Sequence, residues 1–169
     1  TNVVIGSDDC PVISYHDSTN ASLRFYKCFN ISCTSGLPIS LADMRDDVGF
    51  NSITIGADGY PVISYSESSN IRLNVFKCSN VTCTSGSDVN ADGATFVSSI
   101  AIGTDNNPII SYLKGPNDEA RVYKCANPSC STGTTVVIDS DAYGATSIAI
   151  GADGNPIIAY RYIYLNVYK

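Results

Sequence analysis

Tryptophan is absent from these 169 residues, and histidine and methionine occur once each. That scarcity thins the list of catalysts, because histidine is the commonest general acid–base group. Charge is also scarce: 15% of residues are charged, against the usual ~25%, which excludes disordered and coiled-coil classes. Basic residues are outnumbered, 10 Lys+Arg against 16 Asp+Glu, for a formal charge of −6. Phosphate backbones and anionic lipid call for clustered Lys and Arg, so neither nucleic acid nor a membrane surface is an expected partner. No apolar run approaches the ~20 residues of a membrane-spanning helix, so membrane insertion is not expected. Helical periodicity is missing throughout. The basic and apolar stretches of a signal peptide are missing before Thr1 as well. The chain is therefore expected to be a mature product, a processed piece or a segment of something longer.

What the chain does have is repetition. Ile5-Gly6-Ser7-Asp8-Asp9-Cys10-Pro11-Val12-Ile13-Ser14-Tyr15 returns as Ile55–Tyr65, again as Ile102–Tyr112 and again as Ile150–Tyr160. Its glycines, Gly6, Gly56, Gly103 and Gly151, are 50, 47 and 48 residues apart. A second block follows: Leu23-Arg24-Phe25-Tyr26-Lys27-Cys28, then Leu73–Cys78, then Ala120–Cys125. The fourth copy, Leu165–Lys169, stops one position short of the expected Cys. Length allows one domain or a short array. The repeat divides that domain, 1–169, into units 1–47, 48–95, 96–143 and an incomplete 144–169.

Each unit reads as short strands. Val3 and Ile5, Ile53 and Ile55, Ile100 and Ile102, and Ile148 and Ile150 alternate with other residues at the period of a strand. Asp58-Gly59 and Asp153-Gly154 are turn pairs suited to positive φ; Asp8-Asp9 and Asp105-Asn106 fill the same place less easily. Pro11, Pro61, Pro108 and Pro156 open a second strand. The Leu-x-Val-Tyr-Lys-Cys block is a third, and Thr134–Asp139 and Leu37–Ala42 suggest a less regular fourth. Val12 and Ile13, like Phe25 and Tyr26, point to opposite faces, so both faces of each sheet are apolar. Such sheets need neighbours on both sides. The expected fold is all-β, a β-propeller-like array of four-stranded antiparallel units; the alternative is an open stack or sandwich-like filament unit.

Seven cysteines fit the same frame. Cys28/Cys33, Cys78/Cys83 and Cys125/Cys130 form a C-x4-C pair at one place in each unit. Two sulfurs per unit and one His fall short of the four ligands of a zinc site, so no cofactor or metal is expected. Small disulfide-closed loops are expected instead, pinning a turn and implying an oxidising, extracellular or cell-surface location. Cys10 remains as an unpaired thiol.

Catalytic patterns are hard to find. His16 sits beside Asp17 at an expected loop start, where the other copies have Ser66, Leu113 and Arg161. Ser14, Ser64 and Ser111 recur in Ile-Ser-Tyr with no base beside them, and read as small residues alternating along a strand. Asp43, Asp46 and Asp47, and Asp88 and Asp92, cluster in expected loops without calcium-ligand spacing. Tyr15, Tyr65, Tyr112 and Tyr160 recur at one place, as inter-unit packing or as faces for sugars. Asn20, Asn30 and Asn80 lie in N-x-S/T sequons and are candidate N-glycosylation sites. Tyr162 and Tyr164 depart from the repeat, and with Leu165 and Val167 form a candidate contact surface.

The string I-G-x-D-G-x-P-x-I-S-Y with L-x-V-x-K-C-x4-C resembles tandem repeats of bacterial secreted and surface proteins. That resemblance implies extracellular location and propeller-like blades used for scaffolding or adhesion. The incomplete fourth unit leaves three arrangements open: a four-bladed ring with one thin blade, pairing with a second copy, or a window onto a longer array. In each, Leu165–Lys169 is a candidate edge for strand addition. The expected function is a non-enzymatic extracellular repeat protein with a structural or adhesive role, self-assembling or part of a longer array or fibre. A lectin-like, glycan-binding propeller is the alternative, and a propeller-type hydrolase comes third. Expected partners are a second copy or a longer array, and glycans.

Overall fold

A positive φ closes the turn between the first and second strands of each unit. Gly59 and Gly154 sit at +80°, and Asp9 and Asn106 reach 61° and 65° without being glycine. In the first copy the Gly6 N–H donates to the Cys10 carbonyl at 2.9 Å, and the other copies repeat that bond. The turn reverses the chain, and proline opens the returning strand where a missing N–H is cheap.

The structure, a computed structural model, describes residues 1–42, 48–67, 72–93, 95–115, 119–161 and 164–169. Among them the regular elements are strands, with no helix. The first sheet holds β1 (Asn2–Ile5), β2 (Pro11–Asp17), β3 (Ser22–Cys28) and β4 (Gly36–Ala42). The second holds β5 (Val48–Ile55), β6 (Pro61–Glu67), β7 (Arg72–Cys78) and β8 (Gly86–Gly93). The third holds β9 (Thr95–Ile102), β10 (Pro108–Lys114), β11 (Glu119–Cys125) and β12 (Gly133–Asp139). The last has three strands, β13 (Tyr143–Ile150), β14 (Pro156–Arg161) and β15 (Leu165–Tyr168). Each sheet is an antiparallel meander in chain order.

Register makes the copies equivalent. Ile13 lies opposite Val3 and Tyr26, Ile63 opposite Ile53 and Phe76, and Ile110 opposite Ile100 and Tyr123. One face of each sheet therefore looks back to the preceding unit and the other forward to the next. Val12, Leu23 and Phe25 pack against Ile53, Ile63, Tyr65 and Phe76 at the first seam. Val62, Leu73 and Val75 meet Ile100, Ile110, Tyr112 and Tyr123 at the second. Ile109 and Val122 meet Ile148 and Ile158 at the third. Burying a side chain of this size contributes about 1.5–3 kcal/mol, so the seams carry the stability.

An open stack would set its first strands in a row. Here β1, β5, β9 and β13 all border one cavity, so the sheets are blades around an axis. The fold is all-β and propeller-like.

Three features of the blades depart from expectation. Asp88 and Asp92 lie on strand β8, not in a loop. Its sequence, Gly-Ser-Asp-Val-Asn-Ala-Asp-Gly, is too polar to read as a strand, and the partner β7 imposes it. His16 falls within β2, opposite Leu23, not at a loop start. The disulfides do more than pin turns. Cys78, Cys83, Cys125 and Cys130 are buried in the first and second seams among the aromatic and aliphatic side chains.

Two contacts recur, one in all four blades and one in the first three. Lys27 reaches Asp8 at 2.9 Å, Lys77 reaches Asp58 at 2.8 Å, Lys124 reaches Asp105 at 3.1 Å and Lys169 reaches Asp153 at 2.6 Å. The lysine of the third strand thus ties down the turn between the first two. Tyr26, Phe76 and Tyr123 lie flat over Gly36, Gly86 and Gly133, leaving no room for a Cβ.

Candidate functional site: a polar pocket on the blade axis

The cavity on the axis has a volume of about 300 Å³, at the low end for a small-molecule site. The opening residues of the four first strands build it: Asn2 from β1, Phe50, Asn51 and Ser52 from β5, Val97, Ser98 and Ser99 from β9, and Gly144–Ser147 from β13. Its polar groups are hydroxyls and amides, with no Asp or Glu among the described lining residues. Phe50 stands exposed beside them.

These polar groups are fixed by a ladder of bonds from blade to blade. Ser14 donates to Asn51 Oδ1 at 2.7 Å, Ser64 and Ser98 share a bond of 3.0 Å, and Ser111 donates to Thr146 at 3.1 Å. The Ile-Ser-Tyr serine of one unit thus grips the first strand of the next. Ser52 accepts from the Ile100 N–H and Ser99 from the Ile148 N–H, both at 3.3 Å. Asn2 donates from Nδ2 to the Asn51 carbonyl at 2.6 Å. A hydroxyl that accepts a backbone N–H still has its own proton to donate. Ser52 and Ser99 therefore present donors to the cavity from fixed positions.

Charge lies outside this pocket, where the second and third blades meet. Asp92 accepts from the Tyr112 hydroxyl, from Lys114 at 3.0 Å and from the Gly93 N–H at 2.7 Å. Burial raises the Asp92 pKa, but these donors outweigh it and hold the carboxyl below its ordinary value. Tyr112 is pushed far up, first by burial and then by its bond to Asp92. Glu119 is bound to Arg121. These carboxylates are occupied as structural ion partners. Tyr160 repeats the pattern: burial and a bond to Asp139 of the preceding blade raise its pKa. The Tyr65 hydroxyl donates to Asp88 at 2.6 Å, so three of the four recurring tyrosines, Tyr65, Tyr112 and Tyr160, pack with their hydroxyls on carboxylates.

The sequence-marked residues lie mostly elsewhere. Cys28–Cys33, Cys78–Cys83 and Cys125–Cys130 are bonded, with Cα–Cα distances of 4.9, 4.9 and 4.8 Å. Cys10 is an unpaired, half-buried thiol in the first turn. Asn20 is exposed, and its amide donates to Asp17 at 2.8 Å. Asn30 and Asn80 organise the disulfide loops: their amides donate to Thr34 at 2.9 Å and Thr84 at 3.0 Å, and accept the same residues' N–H groups. Asn127 does the same at 2.9 Å with Ser131 although Pro128 removes its sequon, so the recurring asparagine has a structural cause. Tyr164, Leu165 and Val167 are exposed on the fourth blade, while Tyr162 lies outside the described residues. Among the described residues, no group of three or more His, Cys, Asp or Glu could hold a metal ion. No described helix is long and apolar enough to cross a membrane.

The pocket residues escaped sequence reading. Each is an ordinary polar residue at the start of a strand, and only their convergence on the axis gives them meaning. One signal was available: Ser14, Ser64 and Ser111 recur, and a repeated polar residue on a buried strand needs a partner.

Comparison with known proteins defines a fold class. No family model matches the chain, and no curated protein matches it. Solved structures do. A Dyadobacter fermentans protein described as of unknown function superposes with a TM-score of 0.75 at 11% identity, over 98% of this chain and 50% of its own. A thermostable family-43 glycoside hydrolase gives 0.62 at 14% identity, over 98% of this chain and 69% of its own. A bifunctional GH43-CE protein of Bacteroides eggerthii gives 0.59 at 10% identity, over 94% and 22%. The chain thus spans half the length of the Dyadobacter protein, and the likeness at such identity is one of fold.

These neighbours correct the expected function. A non-enzymatic structural or adhesive role, with self-assembly into an array or fibre, rested on repeated blades. Glycoside hydrolases carry blades of the same fold, so blade repetition gives no preference for scaffolding.

Proposed function

We propose that this chain is a carbohydrate-recognising propeller segment that takes a neutral sugar into its axial pocket. The observation that carries the proposal is the lining: hydroxyls and amides held in place by the inter-blade ladder, with an exposed aromatic ring alongside. A sugar presents both donors and acceptors from each hydroxyl and a C–H face that packs on an aromatic ring. Fixed neutral hydroxyls complement the first and Phe50 the second. That two fold neighbours are glycoside hydrolases supports a carbohydrate ligand. Glycosidic cleavage uses two carboxyl groups flanking the bond. The described lining residues supply recognition groups and no such pair, so recognition is the part of the chemistry assigned to this chain. The disulfides suit an oxidising environment, and the proposed place of action is extracellular.

Calorimetric titration with neutral pentose and hexose mono- and oligosaccharides tests the proposal. Binding is expected for the folded chain, and Phe50→Ala is expected to weaken it roughly tenfold, about 1.4 kcal/mol. Because Phe50 is exposed, the change should leave the thermal midpoint in place. Absence of binding to every sugar by the folded chain, or binding indifferent to Phe50→Ala, would overturn the assignment. Release of reducing ends would move the chain from recognition to hydrolysis.

A further inference from the structure

The inter-blade ladder biases the axial pocket toward donating hydrogen bonds. Asn51 is only 5% exposed, and its Oδ1 and backbone carbonyl are taken by Ser14 and Asn2. Its Nδ2 has no partner among the described residues, so the N–H groups of a buried side chain are left to the cavity it lines. Ser52 and Ser99 each accept a backbone N–H, and Thr146 accepts from Ser111. In each of these hydroxyls one lone pair is occupied and the proton is left to donate. A hydroxyl that has accepted one hydrogen bond is polarised by it and donates its own proton more strongly. Three interior first strands, β5, β9 and β13, thus bring four donor groups to one cavity.

These donors are neutral, and no Lys or Arg is among the described lining residues. The chain as a whole carries a formal charge of −6. An anion would exchange its hydration for uncharged donors inside a negatively charged molecule, which is unfavourable. The group that suits the pocket is therefore a strong acceptor without charge. On a neutral sugar, hydroxyl and ring oxygens are weaker acceptors than an amide carbonyl, whose oxygen gains negative charge by resonance. The apolar part of the lining fits the other end of an acetamido group. Val97, 7% exposed, and Ala145 line the same cavity and give a methyl group a surface to pack on.

We infer that the axial pocket selects N-acetylhexosamines over the parent hexoses. The acetamido carbonyl is taken by the donors of Asn51, Ser52, Ser99 and Thr146, and its methyl packs on Val97 and Ala145. The inference rests on the sugar-binding proposal and narrows it from neutral sugars at large to one class.

Calorimetric titration with N-acetylglucosamine, glucose, N-acetylgalactosamine, galactose and glucuronic acid tests it. Each acetamido sugar is expected to bind about tenfold tighter than its parent hexose, the gain of a hydrogen bond and a buried methyl. Asn51→Asp replaces the Nδ2 donor by an acceptor and keeps an oxygen for Ser14. Thr146→Val removes one donor at similar volume. Each is expected to bring the ratio of the two affinities toward one, a change that lost stability alone would not produce. Near-ultraviolet circular dichroism checks that the variants fold; if one does not, the other decides. Equal affinity of the wild-type chain for each acetamido sugar and its hexose overturns the inference and leaves sugar binding standing. So does a preference that survives the substitutions. Tighter binding of glucuronic acid would make the donors an anion site and would overturn it too. No binding of any sugar overturns the sugar-binding proposal itself, and this inference with it.

Discussion

The second and fourth blades begin with almost the same string, yet they end in different states. Leu73 and Leu165 hold the same place in the third strand, one fully buried and the other largely exposed. The residue is unchanged; the neighbour differs. Leu73 has the third blade over it, and Leu165 has no described blade beyond it. Burial in this protein is thus a property of position in the array, as expected where each repeat touches only its neighbours. The same contrast separates the blades' outer edges. The second blade has β8 with Gly86 beneath Phe76, whereas the fourth has three strands and leaves Tyr168 beside an apolar groove with Val136 and Ile158.

The sharpest break of this comparison is a matched pair of truncations. Leu73→Ala should cost about 3 kcal/mol, because a core leucine loses its transfer energy and leaves a cavity. Leu165→Ala should cost less than about 0.5 kcal/mol. Chemical denaturation measures both. Equal costs would mean that the fourth blade is as covered as the second.

Glycine supplies a second contrast, of smaller size. A Cβ on Gly86 would meet the Phe76 ring and stand 2.6 Å from the Lys77 carbonyl oxygen, while one on Gly93, at the other end of β8, would meet nothing within 4 Å. Gly86→Ala is expected to cost about 2 kcal/mol through overpacking. Gly93→Ala should be near neutral, and thermal unfolding of the two variants side by side tests the contact between ring and glycine.

The turn aspartates predict a smaller effect, spread over all four blades. The Lys27 hydrogen bond lowers the Asp8 pKa, and Lys124 and Lys169 do the same for Asp105 and Asp153. For Asp58 burial raises the value, but the bonds from Lys77 and the Tyr60 N–H outweigh it. A carboxyl whose folded pKa lies below its unfolded value adds stability that is fully present above the unfolded value. That stability is lost as pH falls through the folded pKa. Thermal midpoints should therefore hold from neutral pH down to about the ordinary value of 3.8 and fall below it. Asp58→Ala should flatten that fall, as midpoints measured from pH 7 to pH 2 will show.

Much of the fold was legible because it is local. The glycine spacings of 50, 47 and 48 residues mark the blades, and the Asp-Gly pairs mark the first turns of the second and fourth. β8 was not legible, since Val89 and Ala91 are a thin apolar signal among Ser87, Asp88, Asn90 and Asp92, and its pairing with β7 decides it. The Asp–Lys pairs could have been found, because both residues recur in all four copies, 19 residues apart in the first three and 16 in the shorter fourth. The axial pocket could not. Asn51, Ser98 and Thr146 differ in type and lie far apart in sequence, and they meet only because the blades turn about one axis.

The sequence by itself determined the unit, its meander of strands, its cysteine pairs and the apolar character of both sheet faces. Those follow from period and from turn chemistry, which act over a few residues. Tertiary structure alone decided which copies of a residue are covered, which serines span a seam and what the four first strands enclose. Burial and convergence depend on neighbours, and a repeated string looks the same whether or not a neighbour is there.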